Sequence, residues 1–175
     1  MIEQLKENYG FLFEEDLITE IGQVGLIKSL KRGEALMEIG SAIRYMPLLF
    51  KGSIKIVRED NDGNELLLYF LETGDTCAFS LSCCIGNKKS EIKAIIVEDV
   101  EMVLIPVQKM EEWICKYKTW KNFVFESYNI RLEEMLETID TLAFMKMDQR
   151  LYKFLIDKVK LIGSRNIENT HQQIA

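Results

Sequence analysis

The chain has 175 residues, a formal net charge of −6, 47% hydrophobic and 29% charged residues, which is ordinary for a soluble globular protein with one sizeable core and an appendage. No apolar run approaches the roughly 18 residues of a membrane span, and Met1-Ile2-Glu3-Gln4 begins no signal peptide, so a cytoplasmic location without membrane partners is expected. The charge is uneven: residues 144–175 carry +3, which leaves −9 on residues 1–143. An acidic body with a mildly basic end suits a module that meets nucleic acid through its C-terminus, although chance spacing of surface lysines gives the same count.

Taken in chain order, Glu14 to Ile21 places Leu17, Ile18 and Ile21 on one face and predicts a short helix. Glycines then punctuate the chain at 33, 40, 52, 63 and 74, the last four 12, 11 and 11 residues apart. Short apolar runs lie between them (Leu48–Phe50, Ile54–Val57, Leu66–Leu71), and turn chemistry such as Asp60-Asn61-Asp62-Gly63 ends them. Strands recurring at that interval predict a sandwich, barrel or jelly roll from about Leu26 to Leu104. Pro47 predicts that the stretch Tyr45–Lys51 starts late or lies at an edge. Cys77–Gly86 breaks the alternation and is read as a loop with a helical turn, after which strands return at Ile92–Val97 and Val100–Ile105.

Pro106 suits the first turn of a helix over Val107–Lys116, and Thr119 suits the cap of the next. In that next helix Phe125, Tyr128, Leu132, Met135, Ile139 and Leu142 are spaced 3, 4, 3, 4 and 3, an a/d seam that asks for a partner helix. Ile130, Leu136 and Ala143 form a flanking stripe suited to covering by the roll of the same subunit. The competing reading is a single helix with one broad buried face. A further helix from about Asp148 carries Leu151, Phe154, Leu155, Val159 and Ile162 on one face and stops at Gly163. Thr170-His171-Gln172-Gln173 matches a capping box, but only Ile174 and Ala175 follow it, and one turn cannot stand alone. The helix is therefore expected to continue past Ala175.

Four cysteines (Cys77, Cys83, Cys84, Cys115) form no Cys-x-x-Cys and read as buried or half-buried reduced thiols, with redox sensing as the alternative. One histidine outside the predicted roll leaves no cupin-type metal set, and no catalytic triad or phosphate loop is present. No metal, no cofactor and no enzymatic activity are predicted.

With these elements in order, the chain resembles the CRP/FNR family of bacterial transcription regulators. The matching stretches are "RGEALMEIG", "KGSIKIVREDNDGNELLLYFLETGD", "KKSEIKAIIVEDVEMVLIP", the long helix, "LAFMKMDQRL" and "THQQIA". The resemblance implies an α+β fold: an antiparallel jelly roll of the cyclic-nucleotide-binding type (1–118), a dimerisation helix (119–144), and the start of a winged helix-turn-helix (145–175). It implies a homodimer that binds DNA and a small-molecule effector. Thr170 and Gln172 correspond to positions that touch the DNA backbone, while the recognition helix would lie past Ala175.

The ligand positions depart from the cyclic-AMP pattern of that family. The Gly-Glu pair that holds the phosphate and ribose aligns with Ala78-Phe79, next to Ser80. The Arg-Ser pair aligns with Lys89-Ser90, and the adenine contacts align with Met135 and Leu136. Phe79 accepts no ribose hydrogen bond, and Lys89 lacks the bidentate fork of Arg. Cyclic AMP is therefore not expected as the effector. Iron–sulfur ligation is not implied either, because no cysteine precedes Cys77, and the lone His171 is not read as a haem ligand. The alternative function is a ligand-binding or protein-interaction scaffold without DNA binding.

Overall fold

The computed structural model describes residues 1–60, 62–75 and 89–162. Two compact units divide within the long helix, Met1–Asn129 and Ile130–Ala175.

The first unit opens with two helices, α1 (Ile2–Tyr9) and α2 (Glu15–Val24). Seven strands follow: β1 (Leu26–Leu30), β2 (Ala35–Met37), β3 (Tyr45–Lys51), β4 (Ile54–Glu59), β5 (Glu65–Leu71), β6 (Lys93–Ile96) and β7 (Val100–Pro106). Among the described residues they form two antiparallel sheets, ordered β1-β7-β3 and β2-β6-β4-β5. All five glycines of the ladder have positive φ, between 80° and 94°. At Gly52 the need is doubled, because a Cβ there would stand 2.4 Å from the Asp99 carbonyl oxygen. The β4–β5 turn is held by Asp60, whose carboxylate accepts the Asp62 and Asn64 amides at 2.9 Å. Those hydrogen bonds, led by the one from the Asn64 side chain, lower the Asp60 pKa.

The sheet β1-β7-β3 has two buried faces. Met46, Leu48, Phe50, Val103 and Ile105 point to the helices. Leu49, Val100, Met102 and Leu104 point to the other sheet, where they meet Ile54, Ile56, Tyr69, Leu71, Ala94 and Ile96. The period-2 alternation of β3 and β7 thus feeds two cores from one sheet. Pro47 pairs with Leu104 inside β3, so the strand starts at Tyr45 and not late; it is an edge strand among the described residues, where the missing N–H costs nothing.

The helical core is aromatic. Tyr9 stacks on Phe13 with centroids 5.6 Å apart, Phe13 meets Phe123 edge-on at 5.0 Å, and Trp113 meets Trp120 edge-on at 5.2 Å. The Tyr9 hydroxyl donates to the Leu49 carbonyl at 2.8 Å, and burial raises its pKa. Helix α3 (Gln108–Lys116) and helix α4 (Lys118–Phe144) bring in the two tryptophans. Pro106 closes β7 instead of opening α3, since its carbonyl side still suits a strand end. Thr119 lies inside α4 and does not cap it: its hydroxyl donates to the Glu14 carboxylate at 3.0 Å and accepts the Glu14 amide at 3.4 Å. Glu20 on α2 ties the N-terminal helices to α3. It accepts from Lys116 Nζ and the Tyr117 hydroxyl at 2.7 Å each, and from Lys109 Nζ at 3.3 Å. These bonds, Lys116 first, hold its carboxyl at about 2.

The second unit holds the rest of α4 and helix α5 (Met147–Ile162), whose first turn is closed by the Lys146 amide donating to Gln149 Oε1 at 2.9 Å. Lys153 pairs with Glu137 across the α4–α5 turn at 2.6 Å.

Candidate functional site

The helical core is filled with large rings; the inter-sheet core is mostly aliphatic, with Tyr69 its one buried ring among the described residues, and leaves a cavity of about 310 Å³. Its apolar wall includes Leu36, Met37, Ile54, Ile56, Leu71 and Leu104. Polar groups gather toward the 38–45 segment and β1: Lys28, Glu38, Ser41, Arg44 and Tyr45. Lys28 pairs with Met102 in the sheet register and so shares the inner face with it. The inner face of β1 thus reads Leu26, Lys28, Leu30, a cation set among apolar positions.

The predicted ligand residues fall unevenly around this cavity. Ala78, Phe79 and Ser80 lie outside the described residues, as does the whole Cys77–Gly86 loop. Lys89 is exposed and bridges Ala42, itself a lining residue, so its backbone borders the rim. Ser90 is buried, and its hydroxyl is engaged locally: it donates to the Ile92 carbonyl at 2.7 Å and accepts the Ile92 amide at 3.2 Å. The backbone of Ser90 also exchanges hydrogen bonds with Gly40 and Ser41, tying the 38–44 segment down. Met135 and Leu136 are exposed on α4 in the second unit. Lys28, Arg44 and Tyr45 were not singled out by the sequence; the signal available was the charge at the centre of an otherwise apolar strand face.

On α4, Phe125, Leu132, Met135 and Ile139 are 64%, 54%, 55% and 51% exposed. Tyr128 is half-buried against the aromatic core, one turn past Val124. The Leu142 side chain lies outside the described ones. Ile130, Leu136 and Ala143 of the flanking stripe are exposed as well. Thr170, Gln172 and His171 lie outside the described residues. Cys115 is a free thiol and is exposed, contrary to the expected burial, because it sits on the outer side of α3 opposite Met110 and Trp113. The other three cysteines lie outside the described residues. Among the described residues no group of His, Cys, Asp and Glu is placed to hold a metal ion, and no helix is long and apolar enough to cross a membrane.

The profile of the cyclic nucleotide-binding domain family matches residues 27–117, the span from β1 to the end of α3. The global nitrogen regulator of Synechococcus elongatus is 22% identical over 177 residues, covering 93% of this chain and 79% of that protein. Among solved structures, a Eubacterium rectale protein assigned to the CRP/FNR family of transcriptional regulators superimposes with a TM-score of 0.77 at 19% identity, over 95% of this chain and 77% of its own. The c-di-GMP-responsive global regulator of Xanthomonas campestris gives 0.69 at 15% identity, over 82% and 72%. At these identities the structural likeness is one of fold; the family match spans more than half of the chain. The chain belongs to the cyclic nucleotide-binding domain family.

Proposed function

We propose that this protein is a transcription regulator of the CRP/FNR type that works as a homodimer: the roll cavity takes a small effector, α4 pairs with its copy and transmits the signal, and a helix-turn-helix following α5 binds DNA. The observation that carries the reading is the line of apolar side chains left exposed on α4, Phe125, Leu132, Met135 and Ile139. Apolar residues at heptad spacing in water are costly unless a second helix covers them. A two-fold axis along such a pair would relate two DNA-binding units and demand paired half-sites about one helical turn apart.

Cyclic AMP is not the effector in this proposal. By the family resemblance, Phe79 aligns with the position of the ribose-binding carboxylate, and Met135 and Leu136 align with polar adenine contacts. Calorimetry giving a tight 1:1 cyclic AMP complex would overturn that exclusion.

The test of DNA binding compares the 175-residue chain with a chain extended by the helix-turn-helix, by anisotropy at fixed salt on random and selected duplexes. The extended chain should bind a selected pseudo-palindrome as a dimer. The 175-residue chain should show no specificity, because base-edge contacts come from the reading helix and residues 1–143 carry −9. No selected site for the extended chain, or specific binding by the short one, counts against the proposal.

A further inference from the structure

We infer that the roll cavity is built for a small amphipathic anion, a carboxylate on an apolar body, with Lys28, Arg44 and the Tyr45 hydroxyl receiving its head. The inference deepens the sensor reading above and rests on it.

The balance of groups in the cavity carries the argument. Lys28, Arg44 and Tyr45 line it, and among the described residues none of their side chains has a hydrogen bond or ion pair. The acidic lining residue, Glu38, stands 3.8 Å from Lys93 and so is already offset by a cation that does not line the cavity. Ser41 is engaged as well, its hydroxyl donating to the Glu38 carbonyl at 2.6 Å. The free polar capacity of the site is therefore two cations and one hydroxyl donor. Several lysines of this unit find carboxylates, Lys55 with Glu65 at 2.7 Å and Lys31 with Asp99 at 2.7 Å among them. Lys28 has no such partner among the described residues, and it lies on the inner face of its strand.

The rest of the wall is aliphatic, and an aliphatic wall rejects a fully hydrated ion but accepts a chain or ring. A volume of about 310 Å³, at the roughly 30 Å³ that one water occupies, holds about ten non-hydrogen atoms. Octanoate matches that count. Arg44 can grip such a carboxylate through two parallel N–H donors, with Lys28 as a point charge.

The experiment is calorimetry on the 175-residue chain with octanoate, octanol and octylamine. Octanoate is expected to bind 1:1, octanol more weakly, and octylamine not at all. Lys28→Met and Arg44→Gln, both at exposed positions, should each weaken octanoate about tenfold, the worth of one charge-assisted contact. Ala42→Trp, on the exposed rim, should block entry. Octanol binding as tightly as octanoate, or octanoate indifferent to both charge variants, overturns the anion assignment. Octanoate that still binds the Ala42→Trp variant sits elsewhere, which also overturns it. Failure of all three probes overturns it too, while the regulator reading is judged independently by the DNA titration.

Discussion

The two stretches of α4 are made of similar residues and do opposite things. From Lys118 to Asn129 the helix buries Trp120, Phe123 and Val124 in the aromatic core of the roll unit. From Ile130 onward its described apolar side chains are exposed, although Leu132, Met135, Leu136 and Ile139 are as hydrophobic as those before them. Amphipathicity averaged over the helix hides this, since the buried face of one half does not continue into the other. One long helix is here a structural element at one end and a surface at the other.

That contrast predicts different responses to truncation. Trp120→Ala should remove a fully buried ring from contact with Phe13, Trp113 and Phe123 and cost about 4 kcal/mol in chemical denaturation, at any protein concentration. Leu132→Ala should leave the roll unit unchanged within about 0.5 kcal/mol at high dilution. At high concentration the same variant should lower apparent stability, because a weakened association stabilises less by mass action. Equal losses at all concentrations for both variants would erase the distinction between the two stretches.

A smaller effect concerns how the helical collar is fastened. Glu20 is held at about 2, below its ordinary value, mainly by Lys116 and Tyr117. A carboxyl depressed on folding contributes stability that is present above its unfolded pKa and is lost as pH falls through the folded value. Glu20→Gln should therefore cost about 2 kcal/mol at neutral pH, the worth of hydrogen bonds to a charged group. The gap between variant and parent should narrow between about pH 4.5 and pH 2. A gap that stays constant over that range would mean that the charge of Glu20 is not what fastens α2 to α3.

Much of the roll could be read from residues that admit few alternatives. The glycines at 33, 40, 52, 63 and 74 were legible because tight turns require positive φ, and all five have it. Heptad spacing made α4 legible as a long helix, but spacing alone could not tell that Tyr128 turns into the aromatic core while Phe125 does not. Helix α1 was missed because its eight residues bury only Leu5 and Tyr9, too few to make a period. Pro47 left two readings of Tyr45–Lys51 open, a late start or an edge, and the edge is the one that holds, since there no neighbour needs its N–H. The cavity was the least legible feature. It arises where two sheets fail to fill the space between them, and no segment of sequence encodes that by itself. Lys28 looked like any surface lysine until the register with Met102 put it on the inner face.

The central claim is that the exposed stretch of α4 pairs with its copy, and sedimentation equilibrium of the parent chain and of Leu132→Glu tests it most directly. The parent should run at twice the mass of a 20.4 kDa chain. The variant, which would bury an unpaired charge on pairing, should run at the monomer mass with its circular dichroism unchanged. A parent chain that is monomeric at all concentrations, or a variant that keeps the dimer mass, would contradict it.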